Sequence, residues 1–202
     1  EHAVEAAITY RFGRRGSTGH AFTPIVAGGR NASTIHHIEN RSPLADKELI
    51  LLDVGAEVSN YAADITRTYA RGPVSSRQQK VHAAVLEVQE FAFAQLKPGV
   101  SIREYEKIIE QFMGEKLREL GLIKSIERET VRQYYPHATS HSLGLDVHDM
   151  ADYERPLEPN MVVTVEPGIY IPDEGLGVRI EDDVLITTDG TSILTGKLPR
   201  EL

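Results

Sequence analysis

Apolar positions recur at two periods along this chain, and the two periods separate its helices from its strands. A spacing of three to four residues predicts a first helix over residues 3–12, with Val4, Ala7, Ile8 and Phe12 on one apolar face. Glycine-rich sequence follows and predicts the end of that helix. The start of the chain therefore indicates an amphipathic helix followed by a loop.

Two longer helices are predicted in the middle of the chain. A capping-box pattern of Ser followed by Gln predicts a helix over residues 75–96, closed by the Pro-Gly pair that follows it. Ser101 and Glu104 form the same capping-box pattern and predict the start of a second helix, which is expected to end near Gly121. Residues 122–136 are charged and predict no definite element. The middle of the chain is therefore expected to be helical.

Runs of β-branched and aliphatic residues predict short strands on both sides of this helical middle. The predicted strands cover residues 24–27, 33–36, 48–54, 63–69, 161–165 and 177–187. Pro, Gly, Asn and Asp residues bound them as turn signals. Each half of the chain then ends in a predicted β-hairpin, so the pattern indicates a mixed α/β domain with a loose two-fold repeat.

Composition narrows the class of protein. A length of 202 residues fits one large domain with its own core. The formal charge of −8 argues against a nucleic-acid partner, because phosphate binding needs a basic surface. Since the chain has no cysteine, a metal site would have to use carboxylate and imidazole ligands. No apolar run approaches the roughly 18 residues of a membrane span, so we expect no membrane partner. The absence of cysteine suits the cytoplasm, which is the expected location.

The first predicted hairpin carries two acidic residues at interior positions. Asp53 and Asp64 lie in consecutive strands, with residues 58–60 at the expected reversal. Directly opposed side chains have Cβ atoms about 5 Å apart, and two carboxylates at that distance repel by several kcal/mol. Such a pair persists with a shared proton, a basic partner or a cation. The alternative is that one Asp is an exposed turn residue.

The second predicted hairpin repeats this arrangement. Glu166 and Glu181 lie in apolar, β-branched sequence, and their midpoint falls at the expected turn, residues 172–175. Ionised carboxylates in buried strands are costly unless they are paired. Four such carboxylates carry a charge of about −4, which two divalent ions would balance. A carboxylate-rich site without sulfur ligands favours Mn²⁺, with Co²⁺, Fe²⁺ or Zn²⁺ as substitutes.

Histidines concentrate shortly before the second hairpin. Three of the eight in the chain, His137, His141 and His148, fall within one short segment. Beside four carboxylates, one imidazole would serve as a metal ligand while others handle protons or the substrate. His36, on the predicted strand that precedes Asp53, is expected to reach the same place.

Arg179 stands two residues before Glu181, so both side chains project from one face of the predicted strand. The expected role of its guanidinium is that of a counter-ion that holds a ligand carboxylate in place. Such a partner still affects activity. His82, on the first of the two middle helices, is interpreted as incidental.

Several segments stand in an order that resembles a known enzyme family. They are DVGAE and YAADITRTY in the first hairpin, HATSHSLGLDVHD in the histidine segment, and TVEPGIYI with VRIEDDVLI in the second hairpin. Together they resemble the pita-bread metallopeptidases, which include methionine aminopeptidase, X-Pro aminopeptidase, prolidase and creatinase. The resemblance implies an α/β (α+β) pita-bread fold, in which a pseudo-symmetric, curved, mostly antiparallel sheet carries helices on its outer face.

The resemblance also implies roles for individual residues. Five match the family's metal ligands: Asp53, Asp64, His141, Glu166 and Glu181. Among them, Asp64 and Glu181 would bridge two ions, and Glu166 would also be the general base. Four more match active-site positions of the X-Pro group: His36, His137, His148 and Arg179. The implied site therefore combines five ligands with four supporting side chains.

The segment around His141 is closer to X-Pro aminopeptidases and prolidases than to methionine aminopeptidases. The implied function is hydrolysis of the peptide bond before a proline at position two, with such a peptide as the partner. A prolidase that cleaves only Xaa-Pro dipeptides is the alternative within enzymes, and a non-catalytic binding module of the same fold is the alternative outside them. The oligomeric state is left open, with a homo-oligomer among the alternatives.

The opening residues EHAVE read like the inside of a helix. Members of the family carry a further helix before the position of residue 1, and the X-Pro group carries a whole N-terminal domain. The resemblance therefore implies that residues 1–202 form the metallopeptidase catalytic domain without that first helix and without an N-terminal domain.

Overall fold

The computed structural model describes residues 1–46 and 48–202, which form four helices and eleven strands. In chain order the helices are α1 (His2–Arg14), α2 (Ser76–Gln95), α3 (Ile102–Glu119) and α4 (Arg128–Arg132). The strands are β1 (Gly19–His20), β2 (Ile25–Gly28), β3 (Leu49–Val54), β4 (Ala56–Val58), β5 (Tyr61–Ala62), β6 (Ile65–Ala70), β7 (Val162–Val165), β8 (Gly168–Ile171), β9 (Leu176–Arg179), β10 (Asp182–Ile186) and β11 (Thr191–Ile193).

The first hairpin runs from β3 through β4 and returns through β5 and β6 in one antiparallel alignment. Ser59 and Asn60 form its turn, both with positive φ, at 55° and 62°. Two such residues suit a tight hairpin turn, because the twist of that turn matches the twist of the strands. The turn is centred nearer the C-terminus than predicted, so Asp53 pairs with Thr66 and not with Asp64.

The predicted direct opposition of Asp53 and Asp64 is therefore wrong, although the predicted face is right. In an antiparallel pair, the residue two positions from the direct partner is a diagonal neighbour on the same face. Asp64 precedes Thr66 by two residues, so both carboxylates project to the same side. Both are also buried, at 8% and 5% exposure, which excludes the alternative that one is an exposed turn residue.

The second hairpin keeps one alignment across a gap in its strands. β7 pairs with β10 and β8 pairs with β9, and both pairs follow the same register. That register places Glu166 opposite Glu181 in the gap, as predicted. A 3-10 helix at Pro172–Glu174, ended by Gly175 with a φ of 59°, forms the turn.

Two strand predictions differ from the structure. Residues 33–36 are not a strand, because Gly29–Ser33 form a 3-10 helix that a turn follows. His36 therefore lies on a loop and not on a strand. The Pro167-Gly168 pair predicts the end of a strand, but in the structure strand β8 begins directly after Pro167. At residues 33–36 the β-branched residues form no strand, whereas at β8 the pairing with β9 outweighs the local turn signal.

The two middle helices begin where predicted but by different means. The Ser75 side chain accepts a hydrogen bond from the Gln78 backbone N–H and the Gln78 side chain accepts one from the Ser75 N–H, which confirms the predicted capping box. Ser101 occupies the N-cap of α3 without a side-chain hydrogen bond, so the box predicted with Glu104 is wrong. The helix starts there regardless, because packing of its apolar face stabilises it more than a cap does.

Helices α2 and α3 pack together over the second hairpin and form the main core with it. The core draws on both helices and on β7 to β10, and its fully buried members include Val85, Ile109, Met113, Val178 and Ile180. Strand β3 and the 3-10 helix at Gly29–Ser33 enclose a smaller second cluster. Within the described part of the chain, no helix is long and apolar enough to cross a membrane.

Candidate metal centre

One cavity of about 560 Å³ collects every residue that the sequence marks as a candidate. These wall residues are Asp53, Asp64, His141, Glu166, Glu181, His36, His137, His148 and Arg179. His82, interpreted as incidental, does not line this cavity. The two hairpins and the histidine segment therefore meet at one place, although they are far apart in the sequence.

Asp64, His141 and Glu181 form the centre of the cluster. One ligand atom from each lies within 4.8 Å of the others, a spacing that a single cation can bridge. The Nε2 atom of His141 lies 3.5 Å from Asp64 Oδ2 and 3.3 Å from Glu166 Oε1. The carboxyl group of Asp53 lies close enough to that of Asp64 to raise the pKa of Asp64. Four carboxyl groups and one imidazole thus surround a single space.

The His141 ring is held in one orientation by the neighbouring backbone. Its Nδ1 atom lies 3.0 Å from the Ser142 carbonyl oxygen, which can only accept, so Nδ1 carries the hydrogen. When the ring is neutral, Nε2 presents its lone pair to oxygens of Asp64 and Glu166. A lone pair that faces two carboxylates is unfavourable unless a proton or a cation lies between them. Neutral imidazole with carboxylates is also a donor set that divalent metals accept.

Neighbouring segments turn Glu166 and Glu181 into the cavity. The Glu166 N–H donates to the Thr139 carbonyl at 2.8 Å, and the Glu181 N–H donates to the Thr66 carbonyl at 3.0 Å. Their carboxylates accept hydroxyl hydrogen bonds, from Thr164 to Glu166 at 3.2 Å and from Thr66 to Glu181 at 2.6 Å. The first hairpin and the histidine segment therefore hold the two glutamates from either side.

Burial makes the carboxylates of this cluster hard to ionise. It raises the pKa of Asp64 to about 8 and the pKa of Glu166 to about 8, and repulsion from neighbouring carboxylates adds to both shifts. The pKa of the enclosed Glu181 is raised for the same two reasons. Among the described residues, Asp53 Oδ1 and Asp64 Oδ1 are buried oxygens without a hydrogen-bond partner. Divalent cations would bind these unpartnered oxygens and offset the repulsion between the carboxylates, so the cluster suits a metal site.

Arg179 places a buried positive charge beside the cluster. Its Nη2 donates to Asp53 Oδ2 at 2.5 Å, its Nε to the Thr66 hydroxyl at 3.0 Å, and its Nη1 to the Tyr170 hydroxyl at 2.7 Å. The Thr66 hydroxyl in turn donates to Glu181. The planar guanidinium therefore pairs directly with a carboxylate of the first hairpin and reaches Glu181 through a hydroxyl.

His137 is neutral, and both of its ring nitrogens are engaged. Nδ1 donates to the Ala138 carbonyl at 2.8 Å, and Nε2 accepts from the Tyr170 hydroxyl at 2.8 Å. Burial lowers the pKa of His137 to about 3, and the nearby charge of Arg179 adds to that shift. Since the Tyr170 hydroxyl also accepts from Arg179, a chain of hydrogen bonds runs from Arg179 to His137.

The rest of the wall is largely apolar and contains two further histidines. His148 packs edge-on against His141 with ring centroids 4.2 Å apart, and burial lowers the pKa of His148. His36 reaches the cavity from the loop after the 3-10 helix. The apolar and aromatic wall residues are Phe22, Ile25, Ile35, Ile38, Val147 and Tyr153. An apolar wall next to a few convergent polar groups is typical of a small-ligand site.

Four residues that support the site are not among the candidates predicted from the sequence. Thr66 and Thr164 donate to candidate glutamates, and Tyr170 links Arg179 to a histidine. Asp183 accepts the Asp64 N–H at 3.3 Å, and burial raises its pKa to about 7. Three of the four lie two residues from a candidate ligand, so the period of a strand was an available signal.

Comparison with known proteins relates the whole chain to one family. Residues 1–188 match metallopeptidase family M24. Xaa-Pro aminopeptidase 3 of Rattus norvegicus is 42% identical over 217 residues, covering 100% of this chain and 43% of the relative. The Xaa-Pro aminopeptidase of Escherichia coli strain K12 is 38% identical over 223 residues, covering 100% and 51%. The chain thus spans about half the length of the curated relatives it matches.

A third relative is the Arabidopsis thaliana protein named intermediate cleaving peptidase 55, mitochondrial, which is 39% identical over 213 residues, covering 100% of this chain and 43% of that protein. Among solved structures, Pseudomonas aeruginosa aminopeptidase PepP superposes with a TM-score of 0.95 at 39% identity, covering 98% of this chain and 50% of that one. Proline aminopeptidase P II from Yersinia pestis gives 0.93 at 38% identity, covering 100% and 50%. The chain therefore belongs to metallopeptidase family M24, closest to aminopeptidase P, and has the pita-bread fold that its motifs imply.

Proposed function

We propose that this chain is the catalytic part of a dinuclear-metal aminopeptidase that hydrolyses the peptide bond before a proline at position two. The observation that carries the proposal is the convergence of four carboxyl groups and the His141 Nε2 atom on one space. Membership of a metallopeptidase family and similarity to proteins named Xaa-Pro aminopeptidase support it.

The five ligands proposed for the two ions are Asp53, Asp64, His141, Glu166 and Glu181. Asp64 and Glu181 lie at the centre of the cluster with His141, so these three side chains would hold an ion there. Their oxygen-rich donor set favours Mn²⁺, with Co²⁺, Fe²⁺ or Zn²⁺ as substitutes. Divalent ions bound there would polarise the scissile carbonyl and make water acidic enough to supply a nucleophile near neutral pH.

The surrounding side chains would handle the proton and the substrate. Glu166 would take the proton of the attacking water, the role that the family motif implies for it. Its carboxylate lies inside the cluster, with Oε1 3.3 Å from His141 Nε2 and Oε2 3.7 Å from His137 Nδ1. His148 would contact the scissile peptide, and His36 would contact the substrate from the loop that follows the 3-10 helix. His137 is already held by its own hydrogen bonds and would shape the pocket beside Glu166.

The apolar part of the wall suits a proline at position two. The nitrogen of a proline residue carries no hydrogen, so its ring can lie against Phe22, Val147 or Tyr153 without burying an unpaired donor. Arg179, buried and paired with Asp53, would keep that carboxylate in position for an ion. We therefore propose that Arg179 orients the ligand Asp53 and does not contact the substrate.

Metal loading together with hydrolysis tests this proposal. The protein that contains this chain is loaded with Mn²⁺, its bound ions are counted, and Xaa-Pro-Yaa and Xaa-Pro substrates are compared. We expect about two ions and cleavage of the tripeptide. Cleavage of the dipeptide alone would instead identify a prolidase. Absence of bound ions would contradict the proposal and favour a non-catalytic binding module.

Substitution of His148 separates catalysis from metal binding. His148→Ala is expected to keep both ions and to lower kcat by about 10²-fold, because the imidazole contacts the substrate and no ion. Metal content by atomic absorption and steady-state kinetics check this. Loss of metal from His148→Ala would show that the assignment of ligands is wrong.

Two further expectations stay predictions. The cytoplasmic location rests on composition alone, and the name of the Arabidopsis relative assigns that protein to mitochondria. A homo-oligomer is tested by sedimentation velocity on the protein that contains this chain.

A further inference from the structure

Pro167 interrupts the hydrogen-bond ladder of the second hairpin directly after Glu166. The alignment places Pro167 opposite Ile180, and the Ile180 N–H donates to the Pro167 carbonyl at 3.4 Å. Proline has no N–H to donate in return, so its partner's carbonyl receives nothing from the ladder. A buried carbonyl needs a donor, and here that donor must come from another element.

Gln89 of α2 supplies this donor from the helical side of the sheet. Its Nε2 donates to the Ile180 carbonyl at 3.2 Å and to the Val165 carbonyl at 3.2 Å. The same nitrogen lies 3.0 Å from Asp182 Oδ2. Since the Gln89 side chain is fully buried, at 0% exposure, no water competes for these contacts.

The two carbonyls belong to the residues directly before Glu166 and Glu181. Because a peptide unit is planar, the direction of each carbonyl also sets the direction of the N–H of the following glutamate. One amide group therefore ties both strands together at the point where two candidate ligands turn into the cavity.

The orientation of the Gln89 amide is determined by its surroundings. Its Nε2 faces two carbonyls and a carboxylate, which are all acceptors, whereas Oε1 lies 3.1 Å from the donor Nη1 of Arg200. A flipped amide would set its oxygen against three acceptors. Arg200 also pairs with Glu90 at 2.6 Å, so the last residues of the chain support the amide from behind.

A buried ion pair completes this polar cluster behind the sheet. Asp182 Oδ1 pairs with Arg67 at 2.6 Å. Arg67 Nη1 then donates to the Glu181 carbonyl at 2.5 Å and to the Thr66 carbonyl at 2.9 Å. The carbonyl before Glu181 is thus held by Gln89 and the carbonyl of Glu181 itself by Arg67, so its backbone is fixed on both sides.

We propose that Gln89 is a positioning residue for the proposed metal site: it holds the backbone at Val165 and Ile180 so that Glu166 and Glu181 oppose each other at ligand distance. This inference rests on the proposed function for its consequence, which is metal affinity. Its structural part concerns the metal-free chain and can be tested separately.

Gln89→Met is the main test, because methionine has a similar shape and no donor. We expect the affinity for Mn²⁺, measured by titration calorimetry, to fall about tenfold or more, as is typical when a partner behind a ligand is lost. In the metal-free protein, hydrogen exchange at the Glu166 and Glu181 amides is expected to accelerate. Val81→Ala is the control, since Val81 is also fully buried in α2 but has no part in this cluster.

The control separates positioning from general destabilisation. Urea unfolding gives the stability of both variants, and Val81→Ala is expected to lose stability while it keeps the parent's Mn²⁺ affinity and the parent's exchange rates at the two amides. Equal affinity and equal exchange in the parent and Gln89→Met would overturn the proposal. An equal loss of affinity in Val81→Ala would also overturn it.

A second variant covers the case in which Gln89→Met does not fold. Arg200→Ala leaves the amide donors in place and removes only their support, so we expect faster exchange at both amides and a smaller loss of affinity. Unchanged exchange in Arg200→Ala would then overturn the proposal. If the parent itself binds no Mn²⁺, the proposed function fails, and the exchange rates of the metal-free protein still decide the role of Gln89.

Discussion

The two hairpins of the site carry their carboxylates in different ways. In the first hairpin, Asp53 and Asp64 are diagonal neighbours, and Asp53 is paired with Arg179. In the second hairpin, Glu166 and Glu181 are directly opposed, and their carboxylates accept hydrogen bonds from threonine hydroxyls. One negative charge of the cluster is therefore balanced by the fold itself, whereas the others require protons or cations.

Three carboxyl groups of the two hairpins have raised pKa values. Burial and mutual repulsion raise the pKa of Asp64, Glu166 and Glu181. Arg179 opposes each of these pKa shifts, because a nearby positive charge favours the ionised carboxylate. Asp53 therefore has a cationic partner within the fold, whereas the other three carboxyl groups need protons or divalent cations to offset their charge.

The largest effect is expected from removing a proposed ligand in either hairpin. Asp64→Ala and Glu166→Ala should each lose at least one ion, and turnover of an Xaa-Pro peptide should fall by a factor on the order of 10²–10⁴. Metal content and initial rates measure this. Asp46→Ala is the control, because the Asp46 side chain is 85% exposed and lies away from the cavity. Parent rates with full metal content in either ligand variant would contradict the proposed site.

The metal-free protein is expected to lose stability as the pH rises from about 6.5 to about 8. The pKa of Asp64 and that of Glu166 are raised to about 8 in the folded state, whereas carboxyl groups of unfolded chains have pKa values of about 4. Between these values the carboxyl groups bind more protons in the folded protein, and below a pH of about 6.5 the buried neutral His137 offsets part of that difference. Above about 6.5 the carboxyl groups alone remain, so stability falls with rising pH. Saturating Mn²⁺ should remove the decline, because it binds the ionised carboxylates.

Urea unfolding of the metal-free protein at several pH values measures this decline. Glu166→Gln is expected to make it shallower, since one titrating group of the second hairpin is gone. Stability that stays level or rises between pH values of about 6.5 and 8 in the metal-free protein would show that the carboxylates are not protonated in the fold.

Arg179→Met tests the charge that balances the first hairpin. Removing one partner of a buried ion pair destabilises a fold by about 3–5 kcal/mol, because the other charge is left buried and unpaired. The side chains of Arg179 and Asp53 are only 3% and 12% exposed. Arg71→Met breaks the exposed pair with Asp46 and should change stability by about 0–1 kcal/mol. Similar losses in the two variants would contradict the role given to Arg179.

The smallest effect concerns the backbone of the first hairpin. A Cβ atom on Gly55 would lie 1.8 Å from the Ala63 carbonyl oxygen, directly before Asp64. Gly55→Ala is therefore expected to lower stability by about 1–3 kcal/mol, as overpacking does. Gly13→Ala meets nothing within 4 Å in α1 and should be neutral or stabilising by up to about 1 kcal/mol. Thermal unfolding of both variants checks the difference, and an unchanged Gly55→Ala would show that the hairpin can relax there.

Local signals in the sequence predicted most of the elements. The Ser75–Gln78 capping box, the two middle helices and the turn at Pro172–Glu174 all depend on residues within a few positions of one another. The same kind of reasoning failed at residues 33–36, where β-branched residues follow a 3-10 helix in place of forming a strand. The Pro-Gly pair before β8 predicts a turn, whereas the chain continues there as a strand that pairs with β9.

The sequence by itself determined which residue types could meet a metal and in what order, since the motifs name acidic and histidine positions without reference to geometry. Only the tertiary structure decided how those residues pair. It offset Asp53 from Asp64, gave Arg179 to Asp53, and set Gln89 behind Glu166 and Glu181. The physical reason is that hydrogen bonds and ion pairs form between groups close in space, and here the partners come from segments that only the folded sheet brings together.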